Sequence, residues 1–242
     1  MDTLKMHHNG TVKMIAHRGV SGLERENTAA AFVAAGNRSY YGIETDIHET
    51  ADGRFIIIHD DNTLRVSGRD CIVEQTDYET LRGIHLLDRK SESTRADLVL
   101  PSLEEYISIC QRYEKIAVLE LKNEMKPQTV LAIARVIEQM GYLDQTIFIS
   151  FAIKNLIALR AGYPDANIQY LVERIDDLTA LIETLKQYRF DIDAKHNSIT
   201  AEMIPQFHQN GIRINVWTVN TVERAERLQE LGVDYITTNI VE

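Results

Sequence analysis

Short β-branched runs and amphipathic stretches of helical length alternate, in eight repeats, through most of the 242 residues. That rhythm predicts an α/β fold, a (β/α)8 TIM barrel, because repeated β–α units build parallel sheets and eight of them close a barrel in ~250 residues. One stretch, about 49–100, breaks the rhythm and reads as a small inserted subdomain after strand 2. A doubly wound open sheet is the competing arrangement of the same units. No linker or low-complexity stretch interrupts the chain, so 1–242 is expected to form a single domain. Its 44% of hydrophobic residues is enough for a sizeable core.

In chain order, residues 12–16 and 42–47 read as the first two strands, on either side of an Ala-rich helix over 28–37. Within the insertion a strand follows the Asp52-Gly53 turn signal, and a short helix lies near 78–83. A helix over 102–112 leads into the remaining strands, expected at 116–121, 146–150, 168–171, 190–193, 213–217 and 234–237. Helices are expected between them at 127–140, 153–161, 176–188, 201–210 and 222–231. Gly141, Gly162, Gly211 and Gly232 stand just past four of these, where a left-handed residue commonly ends a helix.

The net charge is −10, with the acids spread along the chain and no Lys/Arg-rich run, so nucleic acid and anionic membrane are not expected as partners. Cys71 and Cys110 lie far apart and outside any CxxC, which argues against a disulfide framework or a zinc site. The first residues, MDTLKMHHNGTVKM, contain no apolar signal-peptide core, and no apolar run approaches membrane-spanning length. A soluble cytoplasmic protein with no membrane anchor is expected. His7 and His8 read as part of a solvated terminus rather than a metal site.

The stretch GIETDIHETADGRFIIIHD, 42–60, carries the most chemistry. Strand side chains alternate, so Ile43, Thr45 and Ile47 share one face, and Glu44 and Asp46 the other, roughly 6.6 Å apart. Both faces of a parallel-barrel strand are buried, which points the two acids into the barrel. Unpaired carboxylates there are expensive or take up protons, and a cation is the simplest remedy. The strand at 116–121 repeats the pattern, with Glu120 and Lys122 on its inner face. Three carboxylates and no thiolate favour Mg²⁺ or Ca²⁺, with Mn²⁺ also admissible, over zinc. The alternative is an internal Glu120–Lys122 ion pair, with arginines on Glu44 and Asp46.

A two-residue turn at Asp52-Gly53 would set Asp46 opposite His59, with Cβ atoms about 4.5–5.5 Å apart. A bulge would shift that register. A neighbouring anion favours the protonated imidazole of a general acid. Asp60, one residue on, would point away from His59 and is read as orienting a loop. The first strand ends in Ala16-His17-Arg18-Gly19, where an arginine fork suits phosphate and a histidine can move a proton.

Taken together, these motifs resemble the glycerophosphodiester phosphodiesterase family. The resemblance runs through nearly the whole chain. It includes His17-Arg18-Gly19, Glu26-Asn27-Thr28, Glu44-Thr45-Asp46, Asp52-Gly53, His59-Asp60 and Leu64-Arg65. It continues through Leu100-Pro101-Ser102-Leu103-Glu104-Glu105, Leu119-Glu120-Leu121-Lys122, Ser150-Phe151 and Trp217-Thr218-Val219-Asn220. The chain departs from the family pattern at Arg25, in place of proline, and at Asn239, in place of aspartate after Thr238. The first departure is read as backbone detail. The second is expected to touch the surroundings of the last strand but not the metal or the two histidines.

The resemblance implies hydrolysis of glycerophosphodiesters, small-molecule phosphodiester substrates, to glycerol 3-phosphate and an alcohol, with a divalent cation. It places the metal on Glu44, Asp46 and Glu120, acid–base catalysis on His17 (base) and His59 (acid), and phosphate binding on Arg18 and Lys122. Trp217 is expected to wall the glycerol, and Phe151 is read similarly. Asp193, Lys195 and His196 are given no role, and His48, His85 and His208 read as solvated or packing residues. Two other functions are compatible with the composition of the site. One is a Schiff-base aldolase-type barrel using Lys122, which the adjacent carboxylates oppose by raising the lysine's pKa. The other is a non-catalytic metal- or phosphate-binding module.

Overall fold

The computed structural model describes residues 2–7, 10–91 and 93–242, so His8 of the N-terminal pair lies outside the described residues. β1 (Lys13–Ala16) leads through α1 (Ala29–Gly36) to β2 (Gly42–Glu49). The segment that follows holds β3 (Phe55–Ile57), α2 (Leu64–Ser67) and α3 (Tyr78–Arg82). The chain then runs α4 (Leu103–Arg112), β4 (Ile116–Leu121), α5 (Pro127–Gln139), β5 (Thr146–Ser150) and α6 (Ile153–Gly162). It ends with β6 (Asn167–Val172), α7 (Leu178–Tyr188), β7 (Asp191–Lys195), α8 (Ile204–Gln209), β8 (Ile214–Trp217), α9 (Val222–Leu231) and β9 (Tyr235–Thr238).

All strands but β3 run parallel, and β1 pairs with both β2 and β9, which closes an eight-stranded barrel and excludes the open sheet. β3 adds to β2 as an antiparallel edge. Alternation sorts the side chains as expected. Ile43, Ile47, Ala117, Leu119 and Leu121 join the layer between strands and helices, while Val118, Ile147, Ile149, Leu171 and Tyr235 pack in a separate cluster with Ile15. The segment after β2 builds its own apolar cluster, in which Ile56 and Ile58 pack with Val66, Leu81 and Leu98.

Local chemistry sets the element ends. α4 opens on a capping box, in which Ser102 Oγ accepts from Glu105 N and Glu105 accepts from Ser102 N. α7 starts at Leu178 rather than 176 because the Asp177 carboxylate caps Ala180 N. α8 is shorter than expected, since 201–203 form turns. Gly141, Gly211 and Gly232 have left-handed backbones, as foreseen. Gly162 does not: it is the last residue of α6, and a Cβ there would meet the Leu131 side chain at 2.4 Å, so close helix packing explains it.

One buried hydroxyl joins the two acid-bearing strands. Tyr106 Oη donates to Ile43 O at 2.7 Å and accepts from Val118 N at 2.9 Å. Both contacts fall one or two residues before the inward acids, so α4 helps hold β2 and β4 in register.

Candidate active site

Asp46 and Glu120 are register partners in the β2–β4 ladder, with Glu44 two residues back on the same face. One carboxylate oxygen from each of Glu44, Asp46 and Glu120 lies within 4.8 Å of the others, and all three residues are buried. Burial and the neighbouring Asp46 charge raise the pKa of Glu44 well above the usual range and that of Glu120 to about 7. Asp46 is different. Burial opposes its charge, but Arg18, Lys122 and His59 outweigh it and hold the carboxyl low. An all-oxygen set with two carboxyls poised to hold protons suits a hard divalent cation. Asp46 Oδ1 is buried without a hydrogen-bond partner among the described residues, which leaves a lone pair for such an ion.

Arg18 and Lys122 flank these acids. Arg18 has a left-handed backbone, φ 53°, and this turn aims its own N–H at Glu44 Oε2, 2.7 Å away. Its Nε lies 3.5 Å from Asp46 Oδ2 and has no hydrogen-bond partner among the described residues. Lys122 Nζ donates to Glu120 Oε1 at 2.8 Å and stands 3.7 Å from Asp46 Oδ1. The internal Glu120–Lys122 pair is therefore present alongside the carboxylate cluster. Burial opposes the charge on Lys122, yet Asp46 and Glu120 raise its pKa, which disfavours the neutral amine a Schiff base needs.

His59 reaches the site by a different route from the one expected. The observed pairs are Ile47 with Ile57 and Glu49 with Phe55, and Ile58 N donates to Asp46 O, so Asp46 stands opposite Ile58. The cause is a three-residue turn, 51–53, in which Gly53 takes φ +76°. β3 ends at Ile57, and a bend at 59–60 turns the imidazole back towards the cavity. Asp60 does not point away. Its Oδ1 lies 2.7 Å from His59 Nδ1, where it accepts the Nδ1–H and leaves Nε2 for chemistry. The expected rise in the His59 pKa is not found, because burial, with the Arg18 and Lys122 charges, lowers it more than Asp46 and Asp60 raise it.

His17 directly follows β1 and places Nδ1 2.7 Å from Asn239 Oδ1, a carbonyl that also accepts from Ser21 Oγ. Nδ1 is then the donor, and the His17 Nε2 lone pair faces Glu44 at 3.9 Å. The departure at Asn239 therefore touches a histidine after all. Burial, followed by the Arg18 charge, brings the His17 pKa down to about 4, outweighing the Asn239 hydrogen bond and the Asp46 and Glu26 charges.

His17, Arg18, Glu44, His59 and Glu120 line one side of a cavity of about 190 Å³. Ile149, Leu171, Phe151 and Trp217 give it an apolar wall. Phe151, 44% exposed, meets Trp217 edge to face at 5.7 Å. Asp193 also lines the cavity, whereas Lys195 is exposed and His196 Nδ1 accepts from Arg224 Nε. His48 is fully buried with Nδ1 3.1 Å from Glu74, His85 is exposed, His208 pairs with Asp234, and His7 with Glu226.

Of four supporting residues, Asn27, Glu26 and Arg65 have no role in the sequence reading, and Asp60 has only that of orienting a loop. Asn27, at φ 52°, donates to Asp46 Oδ2 at 2.7 Å. Glu26, Asp60 and Arg65 form an ionic chain between the histidine and the arginine of the site. Arg65 contacts Asp60 Oδ2 and Oδ1 at 2.7 and 3.0 Å and both oxygens of Glu26 at 2.8 and 2.7 Å, and Arg18 reaches Glu26 Oε1 at 2.9 Å. Their only sequence signal was membership of the Glu26-Asn27-Thr28, His59-Asp60 and Leu64-Arg65 motifs. Arg25, read as backbone detail, donates through its side chain to Leu87 O and Asp88 O, both at 2.7 Å, and so ties the β1–α1 loop to the inserted segment.

Comparison with known proteins agrees with this geometry. Residues 17–242 match the model of the Glycerophosphoryl diester phosphodiesterase family. A glycerophosphodiester phosphodiesterase of Bacillus altitudinis is 29% identical over 231 residues, covering 94% of each chain. A phosphodiesterase of Oleispira antarctica, solved in complex with the product sn-glycerol-3-phosphate, superposes with a TM-score of 0.87 at 25% identity, over 94% of this chain and 92% of that one. A glycerophosphodiester phosphodiesterase of Thermotoga maritima shares the fold, with a TM-score of 0.79 at 22% identity over 96% of each chain.

Two predictions follow from the charges. The folded Glu120 carboxyl titrates near 7 against an ordinary 4.5, so between those values the native state holds a proton the unfolded chain has lost. Stability is therefore lost as pH rises through that window. In chelator, Glu120→Gln should gain on wild type by ~2–3 kcal/mol between about pH 5 and about pH 8. Parallel urea titrations at the two pH values measure this, and a constant gap between the proteins would rule Glu120 out as the group responsible. Separately, Arg65→Ala should lower kcat/KM on the order of 10²-fold by releasing Asp60 and Glu26 together. Arg65→Lys should restore only part, because one ammonium does not reproduce four fixed bonds. Wild-type turnover from Arg65→Ala would show that this chain does not position the site.

Proposed function

The chain belongs to the glycerophosphoryl diester phosphodiesterase family, enzymes that hydrolyse glycerophosphodiesters, and on that premise we propose how its own residues carry out the reaction. The observation that supports this reading best is the unpartnered Arg18 Nε, which lies beside the acid cluster in a cavity lined by both histidines. Arg18 Nε and the Lys122 ammonium bind the non-bridging phosphate oxygens and offset their charge. Glu44, Asp46 and Glu120 hold a divalent cation, Mg²⁺ or Ca²⁺ with Mn²⁺ also accepted. When bound, the ion supplies Lewis-acid stabilisation of the phosphoryl oxygens.

His17 Nε2 takes the proton from the attacking oxygen, and His59 Nε2–H delivers one to the departing alkoxide as the P–O bond breaks. Their surroundings separate these roles. Burial and the Arg18 charge leave His17 unprotonated at neutral pH, while at His59, also lowered by burial, the Asp46 charge and the Asp60 hydrogen bond favour the imidazolium and Arg18 and Lys122 oppose it. Phe151 and Trp217 wall the carbon skeleton of the substrate. We read 1–242 as one cytoplasmic catalytic domain with 49–100 inserted. Among the described residues no helix is long and apolar enough to cross a membrane.

The direct test supplies glycerophosphocholine, -ethanolamine, -glycerol and -inositol with each cation and measures glycerol 3-phosphate. Chelation should abolish release and a hard divalent cation restore it. Full activity in excess chelator from metal-free protein would sink the metal assignment. The histidine roles separate by leaving group. His59→Ala should lose roughly 10²–10⁴-fold on glycerophosphocholine, whose alkoxide needs a proton, and far less on a p-nitrophenyl ester. His17→Ala should impair both alike. The reverse pattern would exchange the two roles.

A further inference from the structure

Asp193 stands inside the barrel on β7, in register with Leu171 of β6 and Asn215 of β8. It is 1% exposed, lines the cavity shared by His17 and Trp217, and its Oδ1 has no hydrogen-bond partner among the described residues. The polar groups near it are engaged elsewhere. Asn215 Nδ2 donates to Gln169 Oε1 at 3.0 Å, and Asn215 Oδ1 accepts from Thr237 Oγ1 at 3.2 Å. Trp217 Nε1 donates to the Asp193 backbone carbonyl at 3.3 Å, not to its carboxylate. A buried polar atom left this way is stabilised only by what enters the cavity.

The surroundings narrow what that is. An anionic group gains nothing from a carboxylate, and the cations for phosphate, Arg18 and Lys122, belong to the acid cluster. A metal ion needs several ligands, and the described residues gather them only at Glu44, Asp46 and Glu120. An alcohol hydroxyl both donates and accepts, so it pairs with a carboxyl in either protonation state. Burial and the Glu120 charge raise the pKa of Asp193 well above the usual range, and a hydroxyl serves the neutral acid equally well. The adjoining Ile149, Leu171 and Trp217 suit a short carbon chain.

We infer that Asp193 binds a hydroxyl of the glycerol end of the substrate and so selects glycerol-bearing phosphodiesters over alkyl ones. This rests on the hydrolase reading above. It is tested by binding rather than turnover, with glycerol 3-phosphate and n-propyl phosphate as competitive inhibitors of the metal-loaded enzyme. The two differ only in the hydroxyls. Wild type should bind glycerol 3-phosphate tighter on the order of 10–100-fold. Asp193→Leu should bring that ratio close to one by weakening glycerol 3-phosphate alone, and Asp193→Asn, which still donates and accepts, should keep most of it. Should Asp193→Leu fail to fold, Asp193→Ala replaces it, with melting curves recorded for each protein. An unchanged ratio in the leucine or alanine variant, equal weakening of both inhibitors, or a wild-type ratio near one would each overturn the inference. If wild type neither hydrolyses a glycerophosphodiester nor is inhibited by either phosphate, the hydrolase reading itself fails. Turnover by wild type with an Asp193-independent ratio removes only the inference.

Discussion

The barrel interior carries more negative charge than its burial tolerates, and much of the site answers that imbalance. Glu44, Asp46 and Glu120 face one another because β2 and β4 are register neighbours and their side chains alternate. Three carboxylates out of water cannot all remain ionised unless cations stand close. Arg18 and Lys122 supply part of that charge, and Asn27 a hydrogen bond, yet Glu44 and Glu120 still shift towards the protonated form. A divalent cation would complete the balance, and the same excess of negative charge holds Arg18 and Lys122 beside the acids.

Precision at this centre comes from residues that never line the cavity. Arg65, on a four-residue helix of the inserted segment, contacts both Asp60 and Glu26, which respectively hold His59 and Arg18. Pairs this exposed contribute little to stability singly. As a connected chain they fix directions: Nδ1 of His59 is committed to Asp60, and the Arg18 guanidinium to Glu26, which on the proposed reading leaves His59 Nε2 and Arg18 Nε for substrate. The inserted segment has its own apolar cluster, so it carries His59 on a packed support rather than a free loop.

The two histidines stand in different surroundings, which is the basis of the tasks proposed for them. Both are lowered by burial and by the Arg18 charge and raised by Asp46, but the hydrogen-bond partner of Nδ1 is a neutral amide at His17 and a carboxylate at His59. Asn239, where the family pattern has aspartate, sharpens the contrast. A carboxylate on His17 Nδ1 would favour the imidazolium more strongly than the neutral amide carbonyl does.

Strand number, helix order and the inward direction of Glu44, Asp46 and Glu120 were legible in the sequence, because periods of 2 and 3.6 are local properties of the chain. So was the pairing of Lys122 with Glu120, which lies two residues away on one strand face. The hairpin register was not. It turned on whether Gly53 closed a two- or three-residue loop, and both are compatible with Asp-Gly. Nor was the contact of Asp60 with His59, since a bend after Ile57 abolished the alternation that pointed it away. Asn239 with His17, Arg65 with Glu26, and the unpartnered oxygen of Asp193 join or isolate groups far apart in sequence. Local periodicity carries no distance between such residues, and only barrel closure and the docking of the inserted segment determine it.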